Sequence, residues 1–337
     1  MRVLVTGAAG FIGAHVVQHL LAEGKDVLGL DDLSGGSREN LPDGAEFRER
    51  DCTQPVDDLF EEFRPKAVVH LAAYAAEGLS HHIPNFNYQN NLVGTANVLS
   101  AAHRHSVQHF VFASSIAAYG HPPKDKSFTE ETDCKPCDPY GIAKYACEQH
   151  IACFHEYYGG PSYTIFRPHN VFGPKQNISD PYRNVVGIFL RCVRQGIPLP
   201  VFGDGSQTRD FSYIDVVSKC IAQSLTVGAA CNEVFNVGGD QSWSVLKLAN
   251  EILQLSGSDV GVEHLPPRQE VMHAHADHTK ARKVFPGVFE QANSIESGLA
   301  ETWEYVAKQT VPEPTPCPAP VEIWEKLPPS WLKTLKS

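Results

Sequence analysis

The sequence predicts an α/β protein with a doubly wound parallel sheet and a second, smaller C-terminal domain. Short β-rich runs alternate with helical patterns over the first 120 residues, an order typical of parallel sheets covered by helices. The strand candidates are continuous apolar runs, as expected for strands that are buried on both faces. A glycine-rich turn joins the first strand to the first helix, and an acidic residue ends the second strand.

The elements of the first half follow one another in βα order. The predicted strands are Arg2–Thr6, Asp26–Leu30, Ala45–Arg50, Ala67–Leu71, His109–Ala113 and Tyr163–Arg167. The predicted helices are Phe11–Ala22, Val56–Phe63, Asn85–His103 and Tyr140–Tyr158. We therefore expect a first domain that spans residues 1–168 and contains the parallel sheet.

The sequence pattern changes after Arg167, where stretches rich in Gly and Pro, predicted to be loops, separate the helices. These are predicted at Val185–Gln195, Ile214–Leu225, Val245–Leu255 and Ser294–Lys308. Residues 169–310 are expected to form mainly a substrate-binding domain. Val234–Val237 is predicted to be a strand that returns to the main sheet, so residues 211–240 contain return segments of the first domain.

Residues 311–337 form a proline-rich tail that carries Trp324 and Trp331. Its proline run predicts an extended linker. The tryptophans indicate that the tail docks on the body of the protein or on a partner, and a disordered end is equally compatible with the composition.

Composition and charge exclude several function classes. The chain has 337 residues and a formal net charge of −11, which argues against a general binder of nucleic acid or of anionic membranes. A local basic pocket for phosphate stays compatible with this charge. The sequence shows neither a secretory signal pattern nor an apolar run long enough to span a bilayer. We expect a soluble, cytoplasmic protein with no membrane partner.

The cysteines and histidines do not predict a metal site. The nine cysteines are odd in number and irregularly spaced, which fits a reducing compartment. Cys134 and Cys137 lie in a proline-rich loop without a second pair. His273, His275 and His278 are predicted to form a polar strand and turn.

The glycine-rich turn predicts a dinucleotide site. Its run is Thr6-Gly-Ala-Ala-Gly-Phe-Ile-Gly13, and the expected cofactor-binding residues in it are Gly7, Gly10, Phe11, Ile12 and Gly13. Such a turn lets the backbone approach a pyrophosphate and directs helix N-terminal amides at its negative charge. Asp31 and Asp32 follow about 20 residues downstream. An acid at this position hydrogen-bonds a ribose and repels a 2′-phosphate, which favours NAD over NADP.

Further cofactor contacts are expected where the third and fourth strands end. These residues are Asp51, Cys52, Leu71, Ala72 and Ala73. Asp51 is placed to contact adenine, and the fourth strand's end is placed to line the pyrophosphate and the nicotinamide ribose.

A possible catalytic pair lies at the start of a helix. Asp138 can cap this helix and Pro139 suits its first position, so Tyr140 and Lys144 share one face. A phenol has a pKa near ~10, and a neighbouring ammonium is expected to lower that pKa toward the range of a general base. Alone, this Tyr/Lys spacing is also compatible with a pair on a solvated surface.

An ordered series of motifs resembles the extended short-chain dehydrogenase/reductase family, and specifically its nucleotide-sugar 4-epimerases. The series comprises the glycine turn, His70-Leu-Ala-Ala73, Ala113-Ser-Ser115, Tyr119-Gly120, Tyr140-x-x-x-Lys144 and Arg167-Pro-His-Asn-Val-Phe-Gly-Pro174. The resemblance covers residues 1–308 and implies a Rossmann sheet with NAD as the cofactor.

The resemblance also implies roles for single residues. Ser115 would hydrogen-bond the sugar 4-hydroxyl, Tyr140 would remove its proton, and Lys144 would bind the nicotinamide ribose. Asn91 would line the nicotinamide end of the site, and Asn170 would hold the substrate diphosphate.

The second domain continues the resemblance. Arg209 would grip a nucleotide phosphate, and Arg268 would be a second phosphate-binding arginine. Val201 and Phe202 would form a wall for a uracil base. The implied substrate is therefore a UDP-sugar.

The residues after Ser115 separate the reactions of this family. Dehydratases and decarboxylases in the family carry acidic groups there, whereas this chain has Ile116 and Ala117. The sequence therefore predicts 4-epimerisation, with UDP-glucose and UDP-galactose as the first substrate pair. The alternative is UDP-glucuronate, for which Arg183 is a conceivable donor. Glu77 would oppose a sugar carboxylate.

A homodimer is implied by the family, through pairing of the Asn85–His103 and Tyr140–Tyr158 helices with those of a second copy. A non-catalytic NAD-bound regulator is the alternative from another function class, although the Ser, Tyr and Lys set is whole.

Overall fold

The computed structural model describes residues 1–122, 127–267, 272–310, 313, 315–328 and 331. The strands are β1 (Arg2–Thr6), β2 (Asp26–Asp31), β3 (Glu46–Glu49), β4 (Ala67–His70), β5 (His109–Ala113), β6 (Ser162–Pro168), β7 (Val171–Phe172), β8 (Leu199–Phe202), β9 (Thr208–Asp210), β10 (Ser212–Tyr213), β11 (Glu233–Val237), β12 (Ser242–Ser244), β13 (Val262–Leu265) and β14 (His273–Ala274).

The helices alternate with these strands. They are α1 (Phe11–Ala22), α2 (Asp57–Phe63), α3 (Glu77–Ser80), α4 (Pro84–Tyr88), α5 (Gly94–Arg104), α6 (Pro139–Tyr158), α7 (Val185–Gln195), α8 (Ile214–Gln223), α9 (Val245–Ser256), α10 (Thr279–Val284), α11 (Pro286–Glu290) and α12 (Ile295–Ala307). A π-helical turn spans Gln89–Val93, and short 3-10 turns lie at Arg38–Asn40, Ile116–Tyr119 and Gly228–Ala230.

The central sheet has seven parallel strands in the order β11-β6-β5-β4-β1-β2-β3. Helices cover both faces, because side chains of α1 and α8 form one apolar core and side chains of α2, α5 and α6 form the other. The predicted doubly wound Rossmann sheet is therefore confirmed. The strand order reverses between β1 and β4, and ligands of such sheets bind at the carboxyl ends of the strands at this point.

The return of the chain to the main sheet is also confirmed. β11 pairs in parallel with β6 along its whole length, from Glu233 opposite Thr164 to Val237 opposite Pro168. Residues on both sides of β11 build a separate apolar core around α7 and α9, to which Phe189, Trp243 and Leu248 contribute wholly or nearly wholly buried side chains. The division of the chain into two domains stays a prediction at its stated boundaries.

One predicted helix differs from the structure. Asn85–His103 is not a single α-helix but α4, the π-helical turn and α5 in succession. The wider turn places Asn91 inside the protein. There its side-chain oxygen accepts a hydrogen bond from the Tyr74 amide, and its side-chain nitrogen donates to the Tyr74 carbonyl. The Thr95 hydroxyl donates to the Asn91 carbonyl. Single-turn π segments are frequent at functional sites, and apolar periodicity does not reveal them.

The histidine-rich segment contains the predicted strand, β14, and continues to the start of α10. β14 pairs in parallel with β9, and His275 hydrogen-bonds the carboxylate of Asp210. Within the described residues there is no cluster of His, Cys, Asp and Glu that could hold a metal ion. In the same part of the chain, no helix combines the length and apolar character that crossing a bilayer requires.

Candidate active site

The glycine-rich turn between β1 and α1 forms one wall of the candidate site. Gly7 has a φ of +68°, which lies in the left-handed region that glycine tolerates. A Cβ on Gly13 would lie 1.9 Å from the carbonyl oxygen of Gly7, so the turn and the helix approach each other more closely than any side chain permits. The helix begins at Gly10 without a side-chain cap.

Asp31 connects the end of β2 to this turn. Its Oδ2 accepts a hydrogen bond from the Ala9 amide at 3.0 Å, and its Oδ1 accepts one from the Leu33 amide at 2.8 Å. Burial raises the pKa of this carboxyl, while the bonds from Leu33 and Ala9 act in the opposite direction. Asp32 is exposed and accepts bonds from the amide and the hydroxyl of Ser34.

A second loop, which the sequence analysis did not identify, packs against the glycine-rich turn. A Cβ on Gly36 would lie 2.5 Å from the carbonyl oxygen of Ala9, and that oxygen also accepts hydrogen bonds from the Ser37 amide and the Asn40 side chain. The adjacent glycines at 35 and 36, which follow the acid expected to bind a ribose, were the available signal for this contact.

The end of β4 lies beside the turn. The Thr6 hydroxyl accepts hydrogen bonds from the amides of Leu71 and Ala72, each at 3.2 Å, and it hydrogen-bonds the buried His70 ring. These bonds tie the carboxyl ends of β1 and β4 together, as expected for residues that line a bound dinucleotide. Ala73 directly follows this tied segment.

The other predicted cofactor residues lie at the same edge of the sheet. Asp51 follows β3 and accepts hydrogen bonds from the amide and the hydroxyl of Thr53. Cys52 is buried, and its carbonyl accepts a bond from Asn97 of α5. The Asn91 side chain is bonded to Tyr74 and Asn87, so it positions the segment after β4.

The predicted catalytic helix begins as expected. The Asp138 side chain accepts a hydrogen bond from the Gly141 amide at 2.8 Å, and Pro139 occupies the first helical position. A Cβ on Gly141 would lie 2.5 Å from the carbonyl oxygen of Ala117. This close approach packs α6 on the turn after β5 and brings the Tyr140 phenol close enough to the Ser115 side chain for Ser115 to lower the pKa of the phenol.

Lys144 lies on the same face of α6 as Tyr140. Its ammonium donates to the carbonyl of Ala113 at 2.8 Å and lies 5.9 Å from the centroid of the Tyr140 ring. Burial lowers the pKa of Lys144 to about 8.

The pKa of Tyr140 differs from the sequence-based expectation. Burial raises the pKa of this phenol, and the bond from Ser115 lowers it by less. The carboxylates of Asp138 and Glu77 raise it further, and the guanidinium of Arg183 lowers it. Lys144 is not among the main groups that act on this pKa, and burial dominates because removing a phenolate from water costs more than these neighbours return.

Two of the predicted substrate residues are brought together by the second domain. Asn170 has a φ of +39°, and its side-chain amide donates to the carbonyl of Asp210 at 3.0 Å. Arg209 precedes Asp210 in β9, and its guanidinium donates to the carbonyls of Thr208 and Met272. An amide and a guanidinium therefore lie on adjacent backbone segments, which suits a diphosphate.

The structure corrects the predicted contact surface for uracil, which was Val201 with Phe202. The Val201 side chain is wholly buried in the apolar core around α7 and α9, so it presents no surface to a base. Phe202, the last residue of β8, is half-buried. The role of Phe202 as a wall for uracil stays a prediction, whereas Val201 belongs to the core behind it. Arg268 lies outside the described residues.

Glu77 and Arg183 both lie within electrostatic reach of Tyr140. Glu77 is the first residue of α3. The guanidinium of Arg183 pairs with Asp180 at 2.8 Å and lies 4.7 Å from the centroid of the Tyr74 ring. The sequence reading missed Tyr74 and Asp180, although the spacing from Asp180 to Arg183 was visible in the sequence.

These residues fit a bound NAD. The uncapped first turn of α1 offers amide groups to a diphosphate. A carboxylate accepts about four hydrogen bonds, so Asp31 retains capacity for a ribose beyond its two bonds to the backbone. The tied segment after β4, with Tyr140 and Lys144, would hold the nicotinamide end.

Comparisons with known proteins agree with this geometry. The model of the NAD dependent epimerase/dehydratase family matches residues 3–238. A UDP-glucose 4-epimerase of Mycolicibacterium smegmatis is 35% identical over 316 residues, which cover 90% of this chain and 98% of that protein.

Solved structures match over a similar length. The UDP-glucose 4-epimerase of Thermotoga maritima, crystallised with UDP-glucose, has a TM-score of 0.85 and 35% identity, and covers 91% of this chain and 99% of its own. The UDP-glucose 4-epimerase of Thermus thermophilus in complex with NAD has a TM-score of 0.84 and 31% identity, and covers 92% of this chain and 100% of its own. The uncovered remainder of this chain is similar in length to the 311–337 tail.

The predicted family, enzyme class and cofactor are confirmed together, because the family match spans the glycine turn, Asp31, Ser115, Tyr140 and Lys144. An NAD-dependent isomerase replaces the alternative of a non-catalytic regulator. This chain belongs to the NAD-dependent epimerase/dehydratase family.

Proposed function

We propose that the protein is a UDP-sugar 4-epimerase whose first substrate pair is UDP-glucose and UDP-galactose. The observation that carries this proposal is the site around Tyr140. Its buried phenol lies beside Ser115, and the two residues that follow Ser115 are the aliphatic Ile116 and Ala117. Tyr140 therefore serves as the acid and base in a reaction that returns every proton it removes.

NAD, when bound, supplies reversible oxidation at the sugar C4 and a cationic nicotinamide ring that favours the Tyr140 phenolate. Ser115 orients the 4-hydroxyl, and Tyr140 removes the hydroxyl proton and later gives it back. Asn170 and Arg209 hold the diphosphate, about which the 4-keto sugar turns to present its other face. Lys144 holds the nicotinamide ribose.

Two charges in the site bear on the identity of the sugar. Glu77 raises and Arg183 lowers the pKa of Tyr140, so both lie near the position that a sugar would occupy. Arg183 is already paired with Asp180, and Glu77 would repel a sugar carboxylate. This balance favours a neutral hexose. UDP-glucuronate is the alternative, and it would need Arg183 to exchange Asp180 for the substrate.

The substrate pair is tested with the purified protein, supplied separately with UDP-glucose and with UDP-glucuronate. We expect UDP-galactose to form from UDP-glucose and a much slower reaction of the uronate, both followed by chromatography. Exclusive conversion of UDP-glucuronate would contradict the proposed hexose. An Arg183→Ala variant distinguishes the two cases further, because it should lower a uronate activity far more than a hexose activity.

We also propose a homodimer that is formed by α5 and α6. The described helices of this region expose four large apolar side chains, and these are Val93, Ile142, Tyr157 and Tyr158. Pairing with a second copy would cover them in a four-helix bundle. Light scattering at micromolar concentration should give about twice the mass of 37.0 kDa per chain, and a monomer mass would contradict the proposal.

A cytoplasmic location is part of the same proposal. The nine cysteines are all free thiols, and several are exposed, including Cys137, Cys153 and Cys231. Unpaired exposed thiols are typical of a reducing compartment.

A further inference from the structure

The described part of the C-terminal tail, mainly residues 315–328 and Trp331, packs on the body of the protein through contacts with two segments. The Thr315 amide donates to the carbonyl of Ser179 at 2.9 Å. Glu322 and Ile323 donate from their amides to the carbonyl of His82, whose ring hydrogen-bonds the Ile323 carbonyl at 2.7 Å. The tail is thus tied to the loop before α7 and to the link between α3 and α4.

Glu322 adds a charged contact at the start of α4. Its carboxylate accepts hydrogen bonds from the Asn85 amide at 3.0 Å and from the Asn85 side chain at 2.7 Å. Trp324, two residues further along the tail, is 49% exposed. The two tail tryptophans therefore differ in how they pack against the body.

Trp331 is the tail tryptophan that packs against the body of the protein. Its ring meets the Tyr182 ring edge-on at a centroid distance of 5.2 Å and the His82 ring at 6.2 Å. A Cβ on Gly78 would lie 3.2 Å from Trp331 Cη2, so the indole sits directly on α3. Trp331 joins an apolar cluster that contains Tyr182 and Leu79.

The two segments under Trp331 carry the charged groups that act on Tyr140. Glu77 precedes Gly78 in α3, and Arg183 follows Tyr182. α3 also touches the catalytic helix directly, because the Ser80 hydroxyl accepts a hydrogen bond from the Tyr140 amide at 3.2 Å. Trp331 therefore contacts both segments whose charged residues, Glu77 and Arg183, act on the pKa of Tyr140.

We propose that Trp331 is a positioning residue for the sugar end of the active site. The indole clamps α3 to the segment before α7, and this clamp sets the distance between Glu77 and Arg183 across the sugar. The inference rests on the proposed function, because it assigns the sugar, and not the nucleotide, to this end of the cleft. Arg209 and Asn170 hold the diphosphate independently of the tail.

The test compares Trp331→Ala with Trp324→Ala in the full-length, NAD-bound protein. Calorimetry gives the Kd for UDP, which lacks the sugar, and for UDP-glucose. We expect Trp331→Ala to weaken UDP-glucose binding by about tenfold and to raise its KM, while the Kd for UDP stays unchanged. Trp324→Ala should match the wild type in every measurement.

A Trp331→Phe variant keeps an aromatic ring and covers the case in which the alanine variant does not fold. It should show the same selective loss of sugar affinity to a smaller extent. Equal losses for UDP and UDP-glucose, or no loss in a folded Trp331 variant, would overturn the inference. Failure of the wild type to epimerise UDP-glucose would refute the proposed function, whereas the two binding constants would still decide the role of Trp331.

Discussion

Replacing Tyr140 with Phe is expected to lower kcat on UDP-glucose by about 10²–10⁴-fold, the range typical for loss of a general acid–base group. The phenol is buried beside Ser115, so neither water nor a second side chain takes over its proton transfer. The phenyl ring of the variant fills the same space. The Kd for UDP-glucose should therefore change little, and this is checked by calorimetry beside the rate assay.

A matched control exists on the same helix. Tyr157 is 79% exposed, and Tyr157→Phe removes an equivalent hydroxyl at the opposite end of α6. This variant should retain the wild-type rate. Turnover by Tyr140→Phe at a rate near that of the control would mean that Tyr140 is not the base.

Replacing Gly13 with Ala is expected to remove bound NAD. The new Cβ would lie 1.9 Å from the Gly7 carbonyl oxygen and 2.7 Å from the Gly7 carbonyl carbon. Both are backbone atoms, so the turn itself must open, and overpacking of this kind costs about 1–3 kcal/mol. We expect NAD affinity to fall by at least about tenfold, measured as the cofactor content of the purified protein and as the Kd on re-addition.

Gly287→Ala is the control for this change. Gly287 lies in α11, has no positive φ, and a Cβ there would meet nothing within 4 Å. Its variant should bind NAD like the wild type. Normal NAD content in Gly13→Ala would show that the turn can widen without losing the diphosphate, which would contradict the close approach described above.

Much of the first domain was predictable because its signals are local. β1, β5 and α1 have the predicted bounds, and α6 begins at its predicted cap. Buried parallel strands are continuous apolar runs, and a cap depends on neighbours within one turn. For the same reason Gly7 and Asp31 could be assigned to a dinucleotide from spacing.

Features that depend on distant packing were not predictable. The π-helical turn at Asn91 depends on the backbone of Tyr74, which is close only after β4 and α6 are assembled. Val201 is in the β8 stretch predicted to face a base, but the pleat directs its side chain into the core. The raised pKa of Tyr140 follows from burial, and the spacing to Lys144 contains no information about burial.

The sequence by itself determined the parallel sheet, the glycine turn with Asp31, and the identity of the Ser115, Tyr140 and Lys144 set. These depend on backbone conformation, apolar pattern and residue type, which are properties of short stretches. Only the tertiary structure decided the direction of the Tyr140 pKa shift, since it follows from burial and from the charges of Glu77 and Arg183, which come from segments distant in the chain. It also decided where Trp331 of the tail packs, because the contacts of Trp331 with Gly78 and Tyr182 exist only when segments about 150 to 250 residues apart in the chain are packed together.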